Sequence, residues 1–295
     1  MMATEHFSAR YQDLDAWPSL DILSAFLEGQ LAAVAAVRSA LPAIAEAAEA
    51  AAERLRRGGR LVYVGAGTSG RIGVQDGAEL PPTFNWPEAR LVYLMAGGPG
   101  ALLSAVENAE DSVEQGTENI RNADVGPNDV VIGVAASGNT PYTVAALKEA
   151  KARGAQTIGV SNNSEARILA VASHPIVADT GEEVLAGSTR MKAGTAQKVI
   201  LNLFSTLLMI RMGRVYRGLM VDMRATNAKL RRRSVAMVIQ ITGCDEATAA
   251  NALSQSDGVV KIAALVALGL SRAEADALLA RSEGNLRVAL SNLSK

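Results

Sequence analysis

The sequence predicts an α/β protein: a parallel sheet sandwiched by helices, with N-terminal helices before it and a small C-terminal three-helix unit after it. Three observations carry that reading. Apolar, β-prone runs near 61–64, 91–95, 129–134, 156–160 and 175–178 alternate with helical patterns near 70–78, 99–122, 141–153 and 165–171. Such alternation builds a parallel sheet buried on both faces. Small-residue turns follow two of the runs, at 65–70 and 137–140, where open α/β sheets bind ligands. Finally, a helical pattern over 20–57 precedes these runs, and helical patterns follow them after 180.

The elements follow in order. Residues 1–18 are polar and irregular. From 20 to 57, Ile22, Leu23, Phe26, Leu27, Leu31, Val34 and Val37 recur at three- and four-residue steps, the period of a helix with one apolar face. Pro42 divides this stretch into two helices, with Ser39-Ala40-Leu41 at the junction, and Gly58-Gly59 ends the second. After 180 a long helix is expected over 188–212 and another over 221–242. In the last fifty residues Asp245, Asp257 and Ser271 read as N-caps, and Gly269 and Gly284 as stops. That punctuation gives three short helices around Leu265, Leu268, Leu270, Leu278, Leu279, Leu286 and Leu290. The expected organisation is a helical segment over 1–57, a central domain over 58–242 and a helical unit over 243–295.

Composition bounds the function. The 295 residues carry 29 basic and 30 acidic side chains, a net charge of −1. That balance favours neither nucleic acid nor an anionic membrane. The basic cluster at 229–233 reads as a solvated helix face or the edge of a site. Cys244 is the single cysteine, which excludes an intrachain disulfide and fits a reducing cytoplasm. It reads as a packed small residue. No secretory signal is read in 1–11. The apolar run 199–210 is interrupted by Asn202, is too short to span a bilayer, and reads as a buried helix. His6 and His174 are the only histidines, so a Ser-His-Asp triad would have to rest on one of them; His174 reads as a structural residue at a strand edge.

The chemistry concentrates in a few segments. Gly65-Ala66-Gly67-Thr68-Ser69-Gly70 follows the strand run Leu61-Val62-Tyr63-Val64. Its glycines permit a tight turn into a helix whose N-terminal amides point outward, an anion site. Thr68 and Ser69 add hydroxyl donors suited to a phosphate monoester. The spacing also matches the dinucleotide fingerprint, but that expects an acidic residue at the end of the next strand. Ala96-Gly97-Gly98 stands there instead.

A second turn, Ser137-Gly138-Asn139-Thr140, offers two hydroxyls, an amide and backbone donors. For one such turn helix capping is the simpler explanation; two at one sheet edge point to a sugar phosphate. Glu79 precedes Pro81-Pro82, which are expected to end its helix. A carboxylate at a helix C-terminus opposes the macrodipole, so helix stabilisation does not explain it. Glu107 and Glu110, three apart, are expected on one helix face. Ser188, Arg190 and Lys192 fall in Gly187-Ser188-Thr189-Arg190-Met191-Lys192-Ala193-Gly194-Thr195, where cations at a helix start are disfavoured unless an anion relieves them.

The segments VGAGTSGRIGVQDGAELPPTF, AVENAEDS, AASGNTPYTVAAL, GSTRMKAGTAQK and LMVDMRATNAKL closely resemble those of the N-acetylmuramic acid 6-phosphate etherases, a family of the sugar isomerase (SIS) superfamily. The resemblance covers roughly residues 55–245. It implies an SIS-type phosphosugar-binding domain over 58–242 and cleavage of the D-lactyl ether of N-acetylmuramic acid 6-phosphate, by elimination and then hydration. It also implies that Glu79 protonates the leaving lactate, that Glu110 removes the proton at C2, with Glu107 the fallback, and that Thr68, Ser69, Ser137, Asn139 and Thr140 hold phosphate and sugar. Ser188, Arg190 and Lys192 are additional site residues on this reading. Two carboxyl groups in opposite protonation states suffice for the chemistry, so no metal or cofactor is expected. An acid role for Glu79 calls for burial among apolar neighbours. A homodimer is implied, with the phosphosugar as ligand. Two rival readings, a non-catalytic sugar-phosphate-binding regulator and an aldose–ketose phosphosugar isomerase, would release no lactate.

Overall fold

Five short runs of β-branched and aliphatic residues pair in parallel into one sheet, in the computed structural model, which describes residues 4, 6–223, 225 and 227–293. The strands are β1 (Leu61–Gly65), β2 (Leu91–Met95), β3 (Val130–Ala135), β4 (Gln156–Ser161) and β5 (His174–Val177). Their order is β2-β1-β3-β4-β5. Leu61 stands opposite both Leu91 and Val130, Val130 opposite Gln156, and Ile158 opposite His174. The three central strands are buried along their whole length, while the edge strands β2 and β5 are partly open. That difference follows from apolar runs in the centre and Tyr93, His174 and Pro175 at the edges.

The helices are α1 (Ser19–Ala36), α2 (Leu41–Arg56), α3 (Gly67–Ala78), α4 (Leu80–Phe84), α5 (Val113–Asn122), α6 (Pro141–Ala152), α7 (Arg167–Val171), α8 (Lys192–Arg211), α9 (Ala228–Thr242), α10 (Glu246–Gln255), α11 (Val260–Ala267), α12 (Arg272–Arg281) and α13 (Leu286–Leu293). A 3-10 turn, Val37–Ala40, joins α1 to α2, and Pro42 sits in the first turn of α2. The chain forms two compact units. The first holds the residues up to Gly77 together with Glu88–Ser205, and contains the sheet. The second holds Ala78–Pro87 and the chain from Thr206 onward, around a core that includes Val221, Val238, Ala263, Leu265 and Leu286.

Three expectations are corrected. Residues 99–122 are not one helix: 3-10 turns at Pro99–Leu102 and Ala109–Asp111 precede α5. Leu102, Leu103 and Val106 are exposed and offer no apolar face to bury, and Asn108 adopts the left-handed region at φ +57°. Pro81 and Pro82 do not only end a helix; they occupy the first turn of α4, where a missing N–H costs nothing. The chain after 243 forms four helices, not three. Asp245 and Ser271 cap α10 and α12 as expected. Asp257 caps none, sitting at φ +51° in a turn. Gly284 does stop α12, but the chain restarts at Leu286, with Asn285 Oδ1 accepting from Arg287 N at 3.0 Å.

The starts of β1 and β3 are tied by one ion pair. Asp129 accepts from Arg60 N at 2.8 Å and Arg60 Nη2 at 2.7 Å, and from Gly126 N at 3.0 Å. Burial pushes this carboxyl upward, but the bonds from Arg60 and Gly126 outweigh it and hold the group below its ordinary value. A carboxylate depressed on folding stabilises above its unfolded value, about 3.9, and loses that contribution as pH falls through the lower folded value. Asp129→Asn is expected to cost about 2–3 kcal/mol at pH 7. In denaturant titrations across pH, the gap from wild type should narrow below about pH 4.

Candidate active site

At the carboxyl end of β1 the chain turns through Gly67, at φ +51°, into α3. A Cβ on Gly65 would lie 2.8 Å from Gly70, and one on Gly70 would lie 2.9 Å from the Gly65 carbonyl oxygen. Only glycine allows the approach, and it sets the first turn of α3, with Thr68 half-buried and Ser69 buried, at the sheet edge.

After β3 the second turn passes through Gly138, at φ +68°, where a Cβ would lie 2.3 Å from the Ala166 side chain and 2.5 Å from Ser161 Oγ. Ser137 Oγ accepts from Asn139 N at 3.2 Å, and Asn139 Oδ1 accepts from Arg167 N at 2.9 Å. Thr140 stands at the N-cap of α6, yet its side chain makes no cap hydrogen bond. The capping explanation therefore does not account for its hydroxyl.

The two turns line one cavity of about 480 Å³. Thr68, Ser69, Ser137, Asn139 and Thr140 all face it, with Glu110 and Asp111 from the 3-10 turn and Gly187 and Thr189 from the loop before α8. The cavity thus brings together backbone and hydroxyl donors for a phosphate, further polar groups for a polyol, and a carboxylate beside them. Of the two glutamates weighed for one role, Glu110 is the one that lines it.

Other expected residues stand elsewhere. Ser188 is half-buried, between the lining residues Gly187 and Thr189, and Arg190, which follows Thr189, is exposed. Lys192 Nζ donates to the Glu182 carbonyl at 2.7 Å. Glu79 is the N-cap residue of α4 and belongs to the second compact unit, whereas every lining residue of the cavity belongs to the first. It is exposed, because Leu80 and Phe84 take the inward positions of its segment. The burial expected for it is not found.

Two buried carboxylates went unread in the sequence. Glu183 is fully buried, its two oxygens accepting from Lys192 N at 2.9 Å and Ala193 N at 3.0 Å. This carboxylate caps the first amides of α8 and places a negative charge at that end of the helix. Asp76 accepts from Asn202 Nδ2 at 2.7 Å, the Tyr63 hydroxyl at 2.9 Å and Ser205 Oγ at 3.0 Å. Burial pushes Asp76 above the usual carboxylate range against those bonds, and pushes the Tyr63 phenol well up. The network ties β1, α3 and α8 together beneath the anion turn. A lone Asp among glycines and small residues in α3 was its only sequence signal.

The chain resembles several known proteins. Sequence profiles match at residues 43–151 (glucokinase regulatory protein N-terminal SIS domain) and 107–207 (SIS domain). The chain is 48% identical over 288 residues to an N-acetylmuramic acid 6-phosphate etherase of Deinococcus radiodurans, covering 97% of this chain and 94% of that protein. A protein of the same name from Streptomyces avermitilis is 47% identical, covering 98% and 93%. Among solved structures, a phosphoheptose isomerase from Francisella tularensis superposes with a TM-score of 0.49 at 20% identity, covering 66% of this chain and 98% of that one.

Thr140 separates ligand binding from helix capping. Thr140→Val should leave the melting temperature within about 1 °C of wild type, since no cap bond is lost; loss of a real cap would cost about 1 kcal/mol. It should weaken binding of a phosphosugar about 3–10-fold in calorimetric titration, the value of one hydrogen bond.

Proposed function

The chain belongs to the N-acetylmuramic acid 6-phosphate etherase family, and on that premise we propose that Glu110 is the base and Glu79 the acid of the reaction. The enzyme cleaves the D-lactyl ether of N-acetylmuramic acid 6-phosphate to N-acetylglucosamine 6-phosphate and D-lactate. The observation that carries the assignment of the site is the convergence of both hydroxyl-bearing turns and Glu110 on one cavity.

In the open-chain sugar the aldehyde at C1 acidifies the proton at C2. Glu110 takes that proton. The C3–O bond then breaks, its electron pair leaving with lactate, and Glu79 supplies the proton that makes the lactate hydroxyl. Water adds at C3 of the unsaturated aldehyde, deprotonated by Glu79 in its carboxylate form, and C2 is reprotonated from Glu110. One group accepts while the other donates, and the roles reverse for hydration. The amides and hydroxyls of Thr68 and Ser69 hold the phosphate, and Ser137, Asn139 and Thr140 hold the sugar. Ser188, Arg190 and Lys192 contribute through the loop whose Gly187 and Thr189 line the cavity.

The experiment is incubation with substrate in deuterated water. Wild type should release D-lactate and place deuterium at C2 of the product. Glu110→Gln should lower both by about 10²–10⁴-fold, the range for loss of a general base. Glu79→Gln should lower lactate release by a similar factor while C2 of recovered substrate still exchanges. A ketose product without lactate would identify an isomerase, and tight binding without turnover a regulator.

The working form on this reading is a cytoplasmic homodimer whose ligand is the phosphosugar and which uses neither nucleic acid nor membrane. The cytoplasmic setting rests on the single cysteine, and the absence of a nucleic-acid partner on the near-zero net charge. The dimer rests on α1, where Leu20, Leu23, Leu27, Leu31 and Val34, spaced as one helix face, are 47–74% exposed. Segment 19–56 is also long and apolar enough to cross a membrane by length and composition, as is α8, though more than half of α8's apolar window is buried. Leu27→Glu with Leu31→Glu should convert a dimer to a folded monomer in sedimentation. Wild-type protein that sediments as a monomer, or that partitions into vesicles, would refute the dimer.

A further inference from the structure

Glu79 stands at the head of a five-residue helix, and a buried charge cluster that takes no step in the reaction fixes that helix. The segment is stiff. Pro81 and Pro82 lock two φ angles, and Asn85 N donates to the Pro81 carbonyl at 2.9 Å. Leu80, Phe84 and Trp86 are buried. At the far end of α4, Arg214 Nη1 donates to the Phe84 carbonyl at 2.8 Å and to the Asn85 carbonyl at 3.0 Å. Its guanidinium also lies 5.2 Å over the Trp86 ring. These are the carbonyls a helix leaves without partners, and a cation there is favourable.

Arg214 is itself held. Asp222 lies 3.5 Å from Arg214 Nη1 and accepts from Lys261 Nζ at 2.7 Å. Lys261, on α11, donates also to the Gly284 carbonyl at 2.7 Å, in the turn between α12 and α13. Burial pulls both cations downward, and the Asp222 charge opposes that pull in each. One carboxylate therefore serves two largely buried cations. As a stabilising device this is poor, since apolar residues of similar volume generally do as well or better. As a positioning device it is apt. The hydrogen bonds of Arg214 go to α4, and Asp222 and Lys261 carry the restraint on to the C-terminal helices.

We propose that Arg214, held by Asp222 and Lys261, is a positioning residue for Glu79, so that the C-terminal helices take part in the reaction through this clamp. The proposal rests on Glu79 being the acid that protonates departing lactate. From the clamp to Glu79 is one short helix, about 7 Å at 1.5 Å per residue, so a tilt at the carbonyl end is carried to the carboxylate. Proton removal at C2 by Glu110 needs none of it.

The test uses the full chain in deuterated water with N-acetylmuramic acid 6-phosphate, following lactate release and deuterium at C2 of recovered substrate. Asp222→Asn should slow lactate release by about 10–100-fold, as expected for an ångström-scale misplacement. Exchange at C2 should stay within about threefold of wild type, because a loss confined to one step leaves the other intact. Should Asp222→Asn not fold, Arg214→Lys carries the same test: it keeps the cation but loses the bond to two carbonyls. Lactate release and exchange falling in proportion would overturn the clamp and leave the cluster merely structural. Wild-type values of both in a folded variant would overturn it equally. Glu79→Gln runs alongside. If that variant still releases lactate at the wild-type rate, the acid assignment itself is wrong, an outcome separate from either failure of the clamp.

Discussion

A Cβ on Gly65 would lie 2.8 Å from Gly70, so β1 and α3 can meet only as two bare backbones. The anion turn depends on that meeting. It places the first amides of α3, with Thr68 and Ser69, at the carboxyl edge of the sheet, where the second turn from β3 can join them. The same helix is pinned two turns later by Asp76, which gathers Tyr63 from β1 and Asn202 and Ser205 from α8. Gly77 repeats the logic, since a Cβ there would lie 2.6 Å from the Tyr93 ring and 2.9 Å from the Tyr63 ring. Between them these contacts restrain α3 at both ends.

Charge is handled in the same manner throughout: fixed locally, so that the cavity is left to the ligand. Glu183 takes up the first two amides of α8. Asp129 takes up Arg60 at the start of the sheet, at the opposite end from the cavity. What remains facing the cavity is neutral donors and the pair Glu110 and Asp111. Neutral, preorganised donors suit a substrate whose phosphate is a handle and not the reacting group.

The sheet was legible almost residue for residue, because its strands are short apolar runs bounded by turn residues and nothing competes with that pattern. The stretch 99–122 was not. Its leucines at 102 and 103 suggest a buried face, but both are exposed, and Asn108 breaks the helix where Glu107 and Glu110 were expected to share a side. Glu110 lines the cavity all the same, from a 3-10 turn and not from the expected helix. The fourth C-terminal helix was hidden because Gly284 signals a stop, and the restart signal, the capping side chain of Asn285, follows it with no loop between. Asp76 and Glu183 were invisible because their meaning lies in partners. Asn202 is 126 residues from Asp76, and a carboxylate that caps a helix from nine residues upstream has no fixed spacing to recognise.

Glu79 shows where motif and fold diverge. In sequence it follows the anion turn so closely that the two read as one device. In the structure they part company one residue before it: Gly77 belongs with the sheet, while Ala78–Pro87 belongs with the helices after Thr206. The reaction asks two carboxyl groups to hold opposite protonation states and to exchange roles between elimination and hydration. On the proposed reading these are Glu110, beside the hydroxyl turns, and Glu79, at the head of a proline-stiffened helix whose last carbonyls Arg214 holds. On that reading the helical unit serves the reaction through the segment 78–87 that it holds.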